Sequence, residues 1–221
     1  MPDFNQQPDN LPNKSKPSKT SRSMLHENIL ATASGGMAIA LATALSILTL
    51  IKMPQGGSMT VGSMLPIIFC ALAFGPGWGI GIGAVYGLLQ FYVAPFAAQW
   101  AQIILDYPIA FGLLGLAGFF ARPKAARMAE RNILHRVGSL RLNRIALAVI
   151  VGMSGRLVSH ILSGVVFFGE YAPAGQNVWV YSALYNATYM VPEMLITCLI
   201  LIPLAAVIRP RSSAAGRSGK N

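Results

Sequence analysis

The stretch WAQIILDYPIAFGLLGLAGFFA, residues 100–121, decides the fold class, because it is apolar and long enough to cross a membrane. Asp106 is its one charged residue, and the preceding charge in the chain is Lys52. A carboxylate is costly in lipid and must therefore face a partner or a cavity. We interpret Asp106 as a functional residue that meets a cationic or polar group.

The composition of the whole chain also favours a membrane protein. Of its 221 residues, 54% are hydrophobic and 11% are charged, whereas a soluble domain carries about 25% charged residues. The mean hydropathy is +0.54. The net charge of +10 does not indicate nucleic acid, because the basic residues lie in tails and one loop that flank apolar segments. We predict an all-α integral membrane protein of the cell membrane, with no nucleic-acid partner.

Six apolar segments predict six transmembrane helices. Their predicted bounds are residues 29–51, 60–74, 78–93, 100–121, 145–168 and 181–208. Lysine and arginine are frequent in both tails and in the loop 122–144, whereas the three opposite loops contain only Lys52 and Glu170. Because positively charged segments stay in the cytoplasm, both termini are predicted to be cytoplasmic.

The chain is predicted to have three parts. Residues 1–27 are polar and form a disordered cytoplasmic tail, residues 28–208 form the six-helix membrane domain, and residues 209–221 form a basic cytoplasmic tail. The loop 122–144 is expected to be either an amphipathic surface helix or a solvated basic linker, and attraction to anionic lipid explains its charge.

Small residues mark two helices for close packing. Gly79, Gly83 and Gly87 recur at every fourth position of the third helix, which leaves one face almost bare backbone. Ala38 and Ala42 lie one turn apart on the first helix. Their spacing fits packing within the bundle and docking to a partner subunit equally well.

Three polar residues are predicted to share one layer near the outer face. At a rise of ~1.5 Å per residue, Asp106 lies roughly 9 Å, Asn186 roughly 8 Å and His160 roughly 12 Å below the outer helix ends. His160, Gly164 and Phe168 lie on one helix face, and the glycine leaves room for a flat ligand.

Aromatic side chains accompany this layer. Tyr107 follows Asp106, and Tyr181 lies at the start of the sixth helix, positions that an interfacial aromatic belt would also explain. Aromatic rings around a carboxylate are typical of a site for a planar cation, which they bind by stacking and cation–π attraction. The sequence therefore predicts a ligand pocket that opens to the outside.

Two further features were weighed against transport and catalysis. Arg156 and Glu193 both fall near the membrane midplane and are predicted to form a structural ion pair, with a proton relay as the alternative. Residues 152–155, GMSG, match the Gly-x-Ser-Gly of intramembrane serine proteases. Ser154 and His160 lie on different faces of one helix, beyond the reach that a nucleophile and its base need. An intramembrane hydrolase is therefore disfavoured, and no catalytic, cofactor-binding or metal-binding residue is predicted.

Five segments in order resemble the thiamine-specific substrate-binding (S) subunit of energy-coupling factor (ECF) transporters. The segments are MPQGGS (53–58), YGLLQF (86–91), LDYP (105–108), HILSGVVFFGEYAP (160–173) and YSALYN (181–186). The similarity covers residues 28–208 and implies an S-subunit-like bundle of six helices with cytoplasmic termini, in agreement with the apolar segments.

The resemblance also implies a thiamine site near the outer face, covered by the loop after the first helix. It implies a carboxylate, Asp106, against the thiazolium charge. The other implied ligand contacts are Tyr107, His160, Gly164, Phe168, Tyr181 and Asn186. Some family members have glutamate and tryptophan where this chain has Asp106 and Phe168, which shortens the carboxylate and reduces the stacking surface.

The resemblance finally implies partner subunits. Ala38 and Ala42 would dock onto a transmembrane coupling subunit that two cytoplasmic ATP-binding subunits drive. The chain itself has no Walker motif, so ATP use would belong to those partners. The alternative within transport is a self-sufficient, proton-coupled thiamine carrier.

Overall fold

The computed structural model describes residues 19–96 and 99–210, and it is mostly helical. In this part of the chain the helices are α1 (Lys19–Ile47), α2 (Leu65–Phe74), α3 (Pro76–Val93), α4 (Trp100–Phe120), α5 (Lys124–Ala129), α6 (Ile133–Gly138), α7 (Leu142–Phe167) and α8 (Val178–Val207). Two antiparallel strands, β1 (Thr49–Lys52) and β2 (Ser58–Thr60), form a hairpin after α1.

Each of the six predicted segments contains a helix. By length and composition, α4, α7, α8 and residues 21–47 of α1 are suited to cross a membrane. Helix α2 has ten residues, which extend about 15 Å, or half of a hydrocarbon core. That α2 and α3 also cross the membrane, giving six spans, stays a prediction.

Three predicted boundaries are wrong. Helix α1 begins at Lys19, so residues 19–27 are helical and do not belong to a disordered tail; residues 1–18 lie outside the described part. The first segment ends at Ile47, because residues 49–52 pair as strand β1. The second segment starts at Leu65 rather than residue 60, because β2 and a turn at Gly62, whose φ is +75°, come first.

Glycines bring α3 and α4 into backbone contact, as the Gly79–Gly83–Gly87 face predicts. A Cβ added at Gly79 would lie 2.9 Å from Cα of Gly115. One added at Gly83 would collide with the Phe111 carbonyl, and one at Gly87 with that of Tyr107. Each contact pairs a later residue of α3 with an earlier residue of α4, so the two helices are antiparallel and joined along their length.

The alanine stripe of α1 packs inside the bundle. Ala38 and Ala42 are 7% and 0% exposed. The hydroxyl of Tyr86 on α3 donates to the Ala42 carbonyl over 3.3 Å, and a Cβ at Gly35 would meet Ile82 at 2.9 Å. The expectation that Ala38 and Ala42 dock a partner is therefore wrong for this arrangement, because α3 already covers them.

The basic loop packs as two short helices, α5 and α6, and neither of the two expected forms describes it. Arg136 on α6 is 2% exposed and donates to both carboxylate oxygens of Glu27 on α1, over 2.7 and 2.8 Å. Arg209, after α8, donates to the Gly138 carbonyl over 3.5 Å. The beginning of α1 and the end of α8 therefore meet at one end of the bundle, which we call the basic end.

Candidate functional site

A cavity of about 640 Å³ lies at the end of the bundle opposite the basic end. The hairpin, the C-terminal parts of α1, α3 and α7, and the N-terminal parts of α4 and α8 line it. It brings together all seven residues predicted to contact a ligand. These are Asp106, Tyr107, His160, Gly164, Phe168, Tyr181 and Asn186.

The carboxylate of Asp106 is held by two donors from α7. Nδ1 of His160 lies 3.0 Å from Oδ1, and the Ser163 hydroxyl donates to Oδ2 over 2.7 Å. Asp106 sits in a π-helical turn, Leu105–Ile109, that contains Pro108. The Leu105 carbonyl, at the start of this turn, accepts from the Ala110 amide and also from the Ser159 hydroxyl, the latter over 2.7 Å. Ser159 and Ser163 thus fix the turn and the carboxylate that it presents.

The second ring nitrogen of His160 meets Arg156. Nε of Arg156 lies 3.2 Å from Nε2 of His160. An arginine N–H is always a donor, so Nε2 accepts and Nδ1 carries the proton that His160 donates to Asp106. This tautomer is neutral and satisfies both contacts. His160 therefore contributes orientation to the site and no charge.

Arg156 and Glu193 form the predicted ion pair, with Nη1 and Oε2 3.6 Å apart. Glu193 is fully buried, and its Oε1 accepts hydrogen bonds from the hydroxyls of Thr60 and Ser63. The Arg156 guanidinium also lies 4.2 Å from the centre of the Phe111 ring. Arg156 thus lines the cavity in addition to pairing with Glu193. The sequence did not predict this second role, because its only signal is that Arg156 lies four residues before His160.

The charges inside the cavity leave one carboxylate without a cation. Arg156 offsets Glu193, His160 is neutral, and Asp106 receives only hydrogen bonds from neutral donors. Lys52 also lines the cavity, but it is exposed at the mouth. The buried part of the site therefore has a net charge of −1 and favours a ligand with one positive charge.

Two predicted contact residues also brace the walls. The Tyr107 hydroxyl donates to the Ala94 carbonyl over 3.0 Å and accepts from the Phe96 amide over 2.9 Å, which fixes the chain between α3 and α4. Asn186 donates to the carbonyls of Ser182 and His160, and Tyr189 donates to its Oδ1 over 2.6 Å.

The structure gives a different reason for a glycine at position 164 than the predicted space for a flat ligand. A Cβ at this position would collide with the Ser182 hydroxyl of α8. The absence of a side chain therefore lets α7 and α8 approach each other, and the space for a ligand lies beside this contact. Phe168, one turn later, stacks on Phe96 with ring centres 6.1 Å apart.

The hairpin covers the cavity through residues that no motif singled out as contacts. The Tyr181 hydroxyl donates to Oε1 of Gln55 over 2.8 Å, and the Gln55 amide donates to the Tyr185 hydroxyl over 2.9 Å. Gly57 has φ +87°, and a Cβ there would meet the Tyr189 ring at 2.7 Å. Tyr181, Tyr185 and Tyr189 recur at every fourth position of α8. This spacing is the sequence feature that could have predicted that all three face the hairpin.

No hydrogen bond joins Ser154 to His160 in the described residues. His160 bonds Asp106 and Arg156, whereas Ser154 is not among the residues that line the cavity. Across residues 19–96 and 99–210 no group of three metal-binding side chains occurs.

The fold and site together define a multi-pass helical membrane protein with a covered, anionic ligand cavity. A family profile described as "Thiamine transporter protein (Thia_YuaJ)" matches residues 32–212. The chain therefore belongs to the thiamine transporter family, whose named members are not enzymes.

Individual relatives agree with this assignment. The chain is 38% identical over 162 residues to the "Thiamine transporter ThiT" of Bacillus subtilis, covering 73% of this chain and 81% of the relative. It is 31% identical over 165 residues to the protein of that name from Lacticaseibacillus paracasei, covering 72% and 77%. The solved structure of ThiT from Listeria monocytogenes matches with a TM-score of 0.68 at 21% identity, covering 83% of this chain and all of that chain, which supports the fold.

Proposed function

We propose that this chain is the thiamine-binding subunit of an ECF importer that partner ATPases energise. The carrying observation is the uncompensated Asp106 carboxylate in a covered cavity with an aromatic lining. Thiamine carries a permanent positive charge on a flat thiazolium ring and a second flat ring with polar edges. A charge-assisted contact to the first and stacking on both would use the groups that the cavity presents.

The ligand contacts follow from this proposal. Asp106 faces the thiazolium, while Tyr181 and Phe168 offer aromatic faces. His160, whose two ring nitrogens already bond Asp106 and Arg156, offers the face of its ring. Asn186, held by Tyr189, offers the second lone pair of its amide oxygen to a ring edge. The hairpin covers the mouth of the cavity, where Gln55 is bonded to two tyrosines of α8. The network of hydrogen bonds supports a site that is formed before the ligand arrives.

The side of the membrane follows from charge. The basic end contains Arg122, Arg131, Arg136, Arg141, Arg144 and Arg209. Basic segments favour the cytoplasm, so we place the basic end and both termini there. The cavity then opens to the outside, from which a vitamin would enter.

Docking to a coupling subunit belongs to another face of α1 than the sequence suggested. Gly36, Ala40 and Ala44 are exposed and repeat every fourth residue, and a Cβ at Gly36 meets nothing within 4 Å. Small exposed residues let a second helix approach closely. We therefore propose this face, rather than Ala38 and Ala42, for the partner contact.

Titration of the purified protein tests the ligand. We expect tight binding of thiamine. Binding of 3-deazathiamine, whose five-membered ring has the same shape as the thiazolium without its charge, should be weaker by about 1.5–3 kcal/mol. Equal affinity for the two compounds would show that Asp106 does not recognise a cation.

Uptake assays test the partners. Replacement of Ala40 and Ala44 by tryptophan should abolish uptake and leave thiamine binding intact, whereas the same change at Ala38 and Ala42 should damage folding. The competing proton-coupled carrier rests on the buried Arg156–Glu193 pair. That carrier would maintain uptake in cells without coupling ATPases, and the ECF subunit would not.

A further inference from the structure

The basic end contains a second cavity that the proposed transport site does not use. It has a volume of about 280 Å³ and lies between the first turns of α1 and the helices α5 and α6. Its charged or titratable lining consists of Arg22, His26 and Glu27 from α1 and Arg131 and Arg136 from the loop. We call this cavity the basic cleft.

The charges of the basic cleft do not cancel. Glu27 is its one carboxylate, and the bidentate bond to Arg136 engages both of its oxygens. Arg22 and Arg131 have no ion pair within residues 19–96 and 99–210. Two guanidinium groups therefore line one small space without a carboxylate partner of their own.

A third arginine adds to this excess. Arg127 packs against Gly75 in the turn between α2 and α3. Burial lowers the pKa of Arg127, Glu27 raises it, and Arg136 lowers it. In the described part of the chain its Nε has no hydrogen-bond partner although the atom is buried. Glu27 is thus the nearby carboxylate for more than one arginine.

Apolar side chains flank the basic cleft on the outside of the bundle. Met24 and Leu25 on α1 are 46% and 61% exposed, and Leu134 on α6 is 49% exposed. Such residues are suited to contact acyl chains at the level where a helix leaves the hydrocarbon core. A ligand with an anionic phosphate next to two hydrocarbon chains matches both surfaces.

We infer that the basic cleft binds the phosphate group of an anionic phospholipid. Arg22 and Arg131 would hold the phosphate by charge-assisted hydrogen bonds, which arginine makes in pairs to phosphate oxygens. Arg136 forms the floor and is already bonded to Glu27. The lipid would tie α1 to α5 and α6 at one place, unlike the diffuse attraction of a basic surface to a negative membrane.

The test uses the full chain in detergent with phosphatidylglycerol or zwitterionic phosphatidylcholine added. Bound lipids are counted by native mass spectrometry, and the unfolding temperature is measured in parallel. The cleft variant is Arg22→Gln with Arg131→Gln, which leaves the Arg136–Glu27 pair in place. The matched control is Lys124→Gln with Arg141→Gln, because both residues are exposed and lie outside the cleft.

We expect one phosphatidylglycerol to be retained by wild type and by the control. The cleft variant should bind it at least about tenfold more weakly and should lose the lipid-dependent rise in unfolding temperature. Equal losses in both double variants would show diffuse surface attraction and overturn the site. Retention by both would overturn it as well. A rise of the same size with inorganic phosphate at equal concentration would overturn the lipid as the source of the phosphate.

Discussion

The two ends of the molecule each contain an arginine paired with a carboxylate, and the pairs are built differently. At the basic end, Arg136 bonds both oxygens of Glu27 over 2.7 and 2.8 Å. Near the cavity, Arg156 lies 3.6 Å from one oxygen of Glu193. It also contacts His160 and the Phe111 ring. Arg136 gives its remaining donors to the backbone carbonyls of Glu130 and Ala73, outside the cavity. The Arg156 guanidinium is instead shared between its ion pair and side chains that line the cavity.

The two pairs show that a buried arginine can stabilise the fold alone or can also orient a binding site. A bidentate pair fixes two helices to each other. A shared guanidinium also orients the groups around it, because its donors point in several directions. We therefore expect removal of the Arg136 partner to affect folding alone, and removal of Arg156 to affect folding and ligand binding.

The largest expected effect comes from Arg156→Met. It leaves Glu193 buried without a cation and should lower the free energy of unfolding by about 3–5 kcal/mol. Adding Glu193→Met should recover much of this stability, because an apolar pair leaves no orphan charge. Thiamine affinity should stay reduced in the double variant, since His160 has lost the donor to Nε2. Thermal unfolding and calorimetric titration measure the two effects. Wild-type affinity in the double variant would show that the pair is purely structural.

Glu27→Ala removes the carboxylate partner at the basic end. It leaves the buried Arg136 with only backbone acceptors, and we expect a loss of about 3 kcal/mol in stability. Thiamine affinity should remain within about twofold of wild type, because Glu27 lies at the opposite end from the cavity. The unfolding temperature measures the loss of stability. A thiamine titration performed well below that temperature measures the affinity of the folded protein. A selective loss of affinity would mean that the ends are coupled.

Asp106→Asn should change binding with little change in folding. The asparagine can accept from Nδ1 of His160 through its Oδ1 and donate to the Ser163 hydroxyl through its Nδ2. It lacks the charge, so thiamine binding should weaken by about 1.5–3 kcal/mol. The matched control is Glu170→Gln, which removes one exposed carboxylate that does not line the cavity. Titration of both variants separates a local contact from a general change in charge, and equal effects would reject the local one.

The smallest effect is expected for Ser163→Ala. It removes one of the two donors that hold Asp106 and should weaken thiamine binding by about 1 kcal/mol, the value of a single hydrogen bond. Ser154→Ala lies on the same helix outside the cavity and serves as the control. If Ser163→Ala alone binds thiamine as wild type does, Asp106 is positioned by His160 without help.

The cavity residues could be predicted because depth along a helix follows from residue count. Asp106, His160 and Asn186 fall in one layer by the helical rise alone, and the structure places all three around one cavity. The family motifs added Tyr107 and Tyr181. The glycine face of α3 was likewise visible, because small residues at every fourth position have a direct geometric meaning.

The sequence did not reveal how each helix is rotated about its axis or which distant residues contact each other. The small residues of α1 occupy two faces, and only the packed bundle shows that Ala38 and Ala42 face inward while Ala40 and Ala44 face outward. The helical residues 19–27 include Glu27, whose bond joins α1 to Arg136, a residue far away in the chain. The first strand of the hairpin was predicted as the end of the first helix, because residues 49–51 are as apolar as the helix before them.

The backbone contact between α3 and α4 restricts which parts of the protein can move. At each glycine crossing the backbones meet directly, and the aromatic pairs Tyr86–Phe111 and Phe91–Tyr107 pack across the same two helices. The pair therefore behaves as a fixed wall of the cavity. Entry and exit of a ligand then depend on the elements that meet this wall through side chains. In the hairpin, Thr60 is bonded to the buried Glu193, whereas Gln55 is held by the hydroxyls of Tyr181 and Tyr185 at the cavity. We therefore expect the turn around Gln55 to be the part that opens.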